Sequence, residues 1–250
     1  LLSGCNGQKQ IDSETVKTVK VEEQAHLQDD TVSPTCQITI DYSYLAKSDA
    51  ADSIVQRINR TIQAHILGKE YTRMNPEVAV DSFKNTYINN YRKDVNEFYQ
   101  EDIKNGTPKD ELPTWYNYEY GLTTYFSEGK EGILNFIAET FEYTGGAHPN
   151  SWNKWMNFEK NTGKLLALKD VFMAGSEKPI SDMLLEELIT EMATRLEDSS
   201  ITSLEGLQNA GILNSTNMYV PDNFLLEKEK VSFLYNKYDI APYAVGIITL

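Results

Sequence analysis

Histidine and cysteine are scarce in this 250-residue chain, with three of the first and two of the second. His26, His65 and His148 stand too far apart to form an HExxH or similar helical metal pair, so no metal centre is expected. There is no GxSxG elbow, no Walker loop, no GxGxxG and no CxxC, which removes the common anchors for acyl transfer, nucleotide binding and thiol redox chemistry. No catalytic residue and no cofactor is therefore expected. No run reaches the roughly 18 apolar residues of a membrane span, the longest candidate being Ala241 to Leu250. Basic residues are also outnumbered, 23 against 37 acids for a net charge of −14, which repels phosphate backbones and argues against nucleic acid. The same field favours a cationic partner.

The first five residues, Leu1-Leu2-Ser3-Gly4-Cys5, look like the end of a signal peptide in which small residues precede a cysteine to be acylated. Residues 1–5 are accordingly expected to be a signal remnant, with lipidation at Cys5 and a place in the bacterial cell envelope outside the cytoplasm. With Cys5 acylated, Cys36 has no partner for a disulfide and is expected to be a small buried hydrophobe.

Residues 6–34 carry mostly Gln, Lys, Glu, Asp, Thr and Ser with scattered single Val, Ile and Leu, the composition of a flexible tether, so order is expected from about Pro34. Cys36 to Tyr42 alternates apolar and polar as a half-buried strand does. From Ser48 and Asp49, Ile54, Ile58, Ile62 and Ile66 recur every four positions along a helix that ends at Gly68. A second helix begins at Asn75-Pro76-Glu77 and presents Val80, Phe83, Tyr87, Tyr91, Val95 and Phe98 before Asn105-Gly106. A strand beginning at Trp115 places Tyr116, Tyr118, Tyr120, Leu122 and Phe126 on one face, and the turn Glu128 to Gly132 leads to a return strand over Ile133 to Tyr143. A further hairpin spans Trp152 to Leu168 around Asn161-Thr162-Gly163, an amphipathic helix over Pro179 to Leu196 uses Met183, Leu184, Leu188 and Met192, and Phe224 to Leu226 pairs with Val231 to Tyr235. The fold class is thus α+β, with antiparallel sheets packed against helices in two small consecutive modules, 35–142 and 143–250.

Two stretches are unusual. Tyr143-Thr144-Gly145-Gly146-Ala147-His148 places paired glycines after a strand, where they permit positive φ or close backbone approach. Tyr235 to Gly246 contains Asp239 and the run Ala241-Pro242-Tyr243-Ala244-Val245-Gly246, which interrupts a strand with fixed φ and small residues. Together with Asn157-Phe158-Glu159-Lys160-Asn161-Thr162-Gly163-Lys164 and Leu168-Lys169-Asp170-Val171-Phe172, these resemble the C-terminal module of the extracellular region of RsiV anti-sigma factors. Residues 35–140 resemble the preceding PdaC-type module more loosely, in element order. The resemblance implies an extracytoplasmic α+β binding region, which in RsiV proteins recognises lysozyme. The chain lacks the cytosolic sigma-binding segment and transmembrane helix of the one relative and the deacetylase histidine pair of the other.

The expected function is therefore a lipid-anchored binding module for a cationic protein such as lysozyme. Peptidoglycan or another glycan is the alternative ligand, bound on an aromatic platform of Trp115, Tyr116, Tyr118, Trp152 and Trp155. A hydrolase using His148 with Asp239 is a further alternative. The candidate binding residues are His148, Gly145, Gly146, Asp239, Tyr243 and Trp152, each of which turn or core geometry would also explain.

Overall fold

The computed structural model describes residues 15–46, 52–214 and 217–250. Cys5, the expected lipid site, and Ser48 with Asp49, the expected helix start, lie outside the described residues. The described residues form two compact units, the first within 15–126, 138–151 and 160–164, the second within 127–137, 152–159 and 165–250.

In the first unit, β2 (Thr35–Leu45) is an interior strand of the five-stranded sheet. Its inward positions Cys36, Ile38, Ile40 and Tyr42 are fully buried, the β-branched and aromatic alternation that a pleated, covered face selects. Cys36 is a free, buried thiol, and burial pushes its pKa up to about 12, so it packs as a hydrophobe.

Val16–His26, expected within the tether, is instead β1, paired antiparallel with β2 from Val16↔Leu45 to His26↔Thr35. The composition misleads because an edge strand needs only one shallow apolar side. Val19 and Val21 are half-buried, Lys17, Lys20 and Glu22 face solvent, and β2 satisfies the backbone. Asp30 closes the connecting turn by accepting from the Ser33 and Val32 N–H groups at 2.6 and 3.1 Å. Those bonds, with the Ser33 hydroxyl and the Lys109 ammonium, hold its carboxyl well below the usual carboxylate range.

The helices α1 (Asp52–Ile66) and α2 (Pro76–Lys104) both pack against β2. Ile58 and Ile62 are fully buried, each contributing about 1.5–3 kcal/mol by transfer. α2 begins where Asn75 caps it, its side chain accepting from Glu77 N–H at 3.0 Å, with Pro76 in the first turn. Its buried stripe runs Val80, Ile88, Tyr91, Val95 and Tyr99, so Phe98, expected inside, is 52% exposed. Phe98 lies on the same side of the helix as Val80, but toward the C-terminal end the covered face turns to the side of Ile88, Val95 and Tyr99, and Phe98 packs at the margin against Trp115.

The chain returns not as a strand at Trp115 but as a 3-10 turn over Thr114–Tyr116, because Pro113 accepts from Tyr116 N–H. Then β3 (Tyr118–Glu128) joins β2 in parallel, from Cys36↔Tyr118 to Asp41↔Thr123. This pairing departs from the antiparallel expectation. Both helices lie between β2 and β3, and a connection of that length permits a parallel crossover. β4 (Ile133–Tyr143) and β5 (Asn150–Glu159) follow in the order β1-β2-β3-β4-β5, with residues 127–137 and 152–159 counted in the second unit.

In the second unit, α3 (Leu168–Val171), α4 (Glu177–Arg195) and α5 (Leu204–Asn209) precede a three-stranded sheet of β6 (Phe224–Leu226), β7 (Val231–Tyr235) and β8 (Ile248–Thr249), with β7 in the middle. β6 and β7 pair antiparallel as the pattern implies, Phe224 opposite Phe233. α4 buries Leu184, Leu188 and Met192 at i, i+4 spacing, whereas Met183, one position off that stripe, is 69% exposed. The Asn161–Gly163 turn returns through a single bridge, Phe158 to Leu165, rather than a full hairpin.

Candidate functional site

The glycine motif sits in the first unit. Gly145 has φ of +84°, and a Cβ there would lie 2.5 Å from the Trp115 carbonyl oxygen and 2.9 Å from its Cβ. The residue is glycine for two reasons, a left-handed backbone and a close approach. Gly146 has no such constraint, its nearest neighbour to a built Cβ being the His148 oxygen at 3.8 Å. Gly146 and His148 are exposed in the connection between β4 and β5.

Asp239, Tyr243 and Trp152 belong to the second unit, whereas Gly145, Gly146 and His148 belong to the first. Asp239 accepts from the Asn236 N–H at 2.7 Å, and its own N–H donates to the Asn236 carbonyl, a closed turn around Tyr238 at φ +71°. The Lys237 ammonium lies 4.3 Å from the centre of the Tyr243 ring, and Tyr238 packs on the same ring at 5.9 Å. Trp152 and Trp155 are both half-buried. Of the other platform candidates, Tyr116 is buried and donates to Asp102 at 2.8 Å, Trp115 packs edge-on against Phe98 at 5.5 Å, and Tyr118 lies 5.1 Å from Tyr91. These three rings of the first unit are engaged in packing.

Sequence reasoning passed over a set of asparagines in the second unit. Asn157, fully buried, accepts from Leu226 N–H at 2.7 Å and donates to the Phe224 carbonyl at 2.9 Å. Asn223 accepts from Trp155 N–H at 2.7 Å and donates to the Asn153 carbonyl at 2.8 Å, while Asn236 accepts from Asn153 N–H at 2.7 Å. Each amide stands in for a backbone peptide group, which joins β5 to β6 and to the end of β7 where no strand ladder does. Asn157 and Asn236 both lie within noted motifs, Asn157-Phe158 and Tyr235 to Gly246, whereas Asn223 lies in none.

A cavity of about 390 Å³ opens in the first unit beside the start of β1, the end of β2, α1 and the loop into α2. α1 lines it with Gln56, Asn59, Arg60 and Gln63, positions i, i+3, i+4 and i+7 of one helix face. Its floor is preorganised. Asn59 accepts from Leu45 N–H at 3.0 Å and donates to the Leu45 carbonyl at 2.8 Å, and Gln63, 1% exposed, donates to the carbonyls of Tyr71 and Met74. Tyr44 donates to the Glu77 carboxylate, and burial, then this bond, push the phenol up to about 12. A second cavity of about 750 Å³ in the second unit sets Lys130 and Lys230 against Glu131, Asp170, Glu227 and Glu229, so its lining is net acidic. Among the described residues no cluster of His, Cys, Asp and Glu fits a metal ion, and no helix is long and apolar enough to cross a membrane.

Residues 31–151 match the family model of PdaC, described as deacetylase PdaC, and residues 169–250 match that of DUF3298, described as a protein of unknown function. The segment Tyr143–His148 falls inside the first match. A DUF3298-family protein of Bacteroides fragilis NCTC 9343 has a similar structure, with TM-score 0.85 and 28% identity over 97% of this chain and 91% of its own. Another, from Pseudomonas aeruginosa PAO1, shares the fold, with TM-score 0.61 and 15% identity over 94% of this chain and 88% of its own. A search of curated proteins gave no match. The chain thus carries a match to the PdaC model followed by a match to the DUF3298 model, and its structure is similar to those of DUF3298-family proteins.

Proposed function

We propose that the chain is a lipid-anchored binding protein of the bacterial cell envelope that captures a cationic protein, with lysozyme as the first candidate. The observation that carries this reading is the outward side of α4. Asp182, Glu186, Glu187, Glu197 and Asp198 are exposed along this helix and its exit, and Glu186, Glu187 and Glu197 have no basic partner among the described residues. The second unit as a whole has 16 acids against 8 bases, a net −8. Such a field steers a basic protein to the surface and discriminates against acidic ones. The resemblance to RsiV extracellular regions supports the choice of lysozyme, and the Leu1 to Cys5 sequence supports the anchor.

Titration calorimetry of the purified chain with lysozyme at low and moderate salt tests the ligand. The expected result is saturable heat that weakens as salt rises, and that drops further in the Glu186→Lys, Glu187→Lys variant. No heat at either salt removes lysozyme as the ligand. Fatty-acid labelling of the full precursor tests the anchor, which requires label on the natural protein and none on Cys5→Ser.

A further inference from the structure

The cavity of the first unit runs against the charge of the molecule. Lys17, Arg60 and Arg73 all line it, and none is paired with a carboxylate among the described residues. Elsewhere in the same unit Lys20, Lys84 and Lys109 pair with Asp41, with Glu23 and Asp81, and with Asp30. With Lys17, Arg60 and Arg73 against the single carboxylate of Glu77, the lining of this concavity carries a net positive charge and a local positive potential. The N-terminus of the 29-residue helix α2 lies in the same wall through Asn75, Pro76 and Glu77 and adds its partial positive charge.

The floor favours a bound molecule over bulk water. Asn59 and Gln63 are held in place by the backbone bonds described above, and Val55, Leu45 and the Tyr44 ring supply apolar wall. Such a mixture of fixed polar groups and apolar surface is characteristic of small-molecule sites, and the volume falls within their ordinary range. Glu77 is the one carboxylate in the lining. It disfavours a doubly charged phosphate and offers an acceptor to a hydroxyl or ammonium beside the anionic group.

We propose that this cavity is a binding site for a small carboxylate-bearing molecule, with Arg60 and Arg73 forking onto the carboxylate, Lys17 adding charge at the rim, and Glu77 receiving a neighbouring donor. The planar, five-donor guanidinium suits a carboxylate in two-point contact better than lysine alone. Two sources share this chemistry, a free dicarboxylic acid and the carboxylate end of a short peptide, and Glu77 separates them because only the peptide brings an ammonium. The site stands on residues of the first unit and is independent of the acidic face of α4.

Nuclear magnetic resonance titration of the ¹⁵N-labelled full chain tests the assignment with three probes: succinate, D-alanyl-D-alanine and inorganic phosphate. A carboxylate probe should give saturable shifts of the Asn59 and Gln63 side-chain amides and bind more tightly than phosphate. The Arg60→Gln, Arg73→Gln variant should bind it about tenfold or more weaker, since two charge-assisted bonds are lost. Both arginines are exposed, so its thermal midpoint should match that of the natural protein. Glu77→Gln should weaken the dipeptide if a peptide end is the ligand, and strengthen succinate if a free diacid is. The proposal is overturned if neither carboxylate gives saturable shifts by about 20 mM, if the arginine variant binds as well as the natural protein, or if phosphate binds more tightly than both.

Discussion

Replacing Gly145 by alanine separates a backbone requirement from a ligand-binding role in the Tyr143–His148 motif. At φ +84° an L-residue meets its own carbonyl, at a cost of about 1–2 kcal/mol. The new Cβ would also lie 2.5 Å from the Trp115 carbonyl oxygen, a backbone atom without the freedom of a side-chain tip. Overpacking of that kind costs about 1–3 kcal/mol. Gly145→Ala should therefore destabilise the first unit by about 2–5 kcal/mol, the sum of these two ranges. Gly146→Ala, at an exposed position without those restraints, should stay within about 0.5 kcal/mol. The assay is urea unfolding followed by Trp115 fluorescence in a Trp152→Phe, Trp155→Phe background, because two units need not unfold together and a local probe is required. Equal shifts for Gly145→Ala and Gly146→Ala, or a cost below about 0.5 kcal/mol for the first, would refute the steric reasoning.

Two further outcomes are expected. Asn157→Ala leaves the buried Leu226 N–H and Phe224 carbonyl without their partner, so the second unit should lose about 2–5 kcal/mol and the Leu226 amide should exchange with solvent much faster; unchanged exchange there counts against the amide bridge. Asp30 has a folded-state pKa below its unfolded value, so its contribution to the 27–34 turn is present above the ordinary carboxylate range and fades as pH falls toward the depressed value. Exchange of the Ser33 amide should accelerate on acidification through that window relative to the intrinsic rate, and Asp30→Asn should flatten the trend.

Element type was legible wherever one face of an element is fully covered. The four-residue recurrence of isoleucines in α1, the Asn75-Pro76 start of α2 and the apolar run of β4 report local geometry, and local geometry is written in nearby residues. The expectation failed at β1, whose order comes from eleven paired positions along β2 rather than from its own side chains. It failed again in the pairing of β3 with β2, since whether two distant strands run parallel depends on where the intervening helices pack.

The candidate site divides the same way. Gly145, Asp239 and Tyr243 stood out in sequence because turns demand unusual residue types, and the structure accounts for Gly145 and Asp239 through turn geometry. The cation-lined cavity has no such mark. Lys17, Arg60 and Arg73 are ordinary surface residues on a strand, a helix and a loop, and nothing in their spacing links them. The sequence alone determined the α+β character, the acidic balance, the start of α2 and the need for glycine at Gly145, all consequences of composition, short-range sterics and periodicity. Only the tertiary structure decided which strands adjoin, which asparagines substitute for backbone, and which three unpaired cations share one concavity, because these depend on chain segments brought together by packing across large separations in sequence.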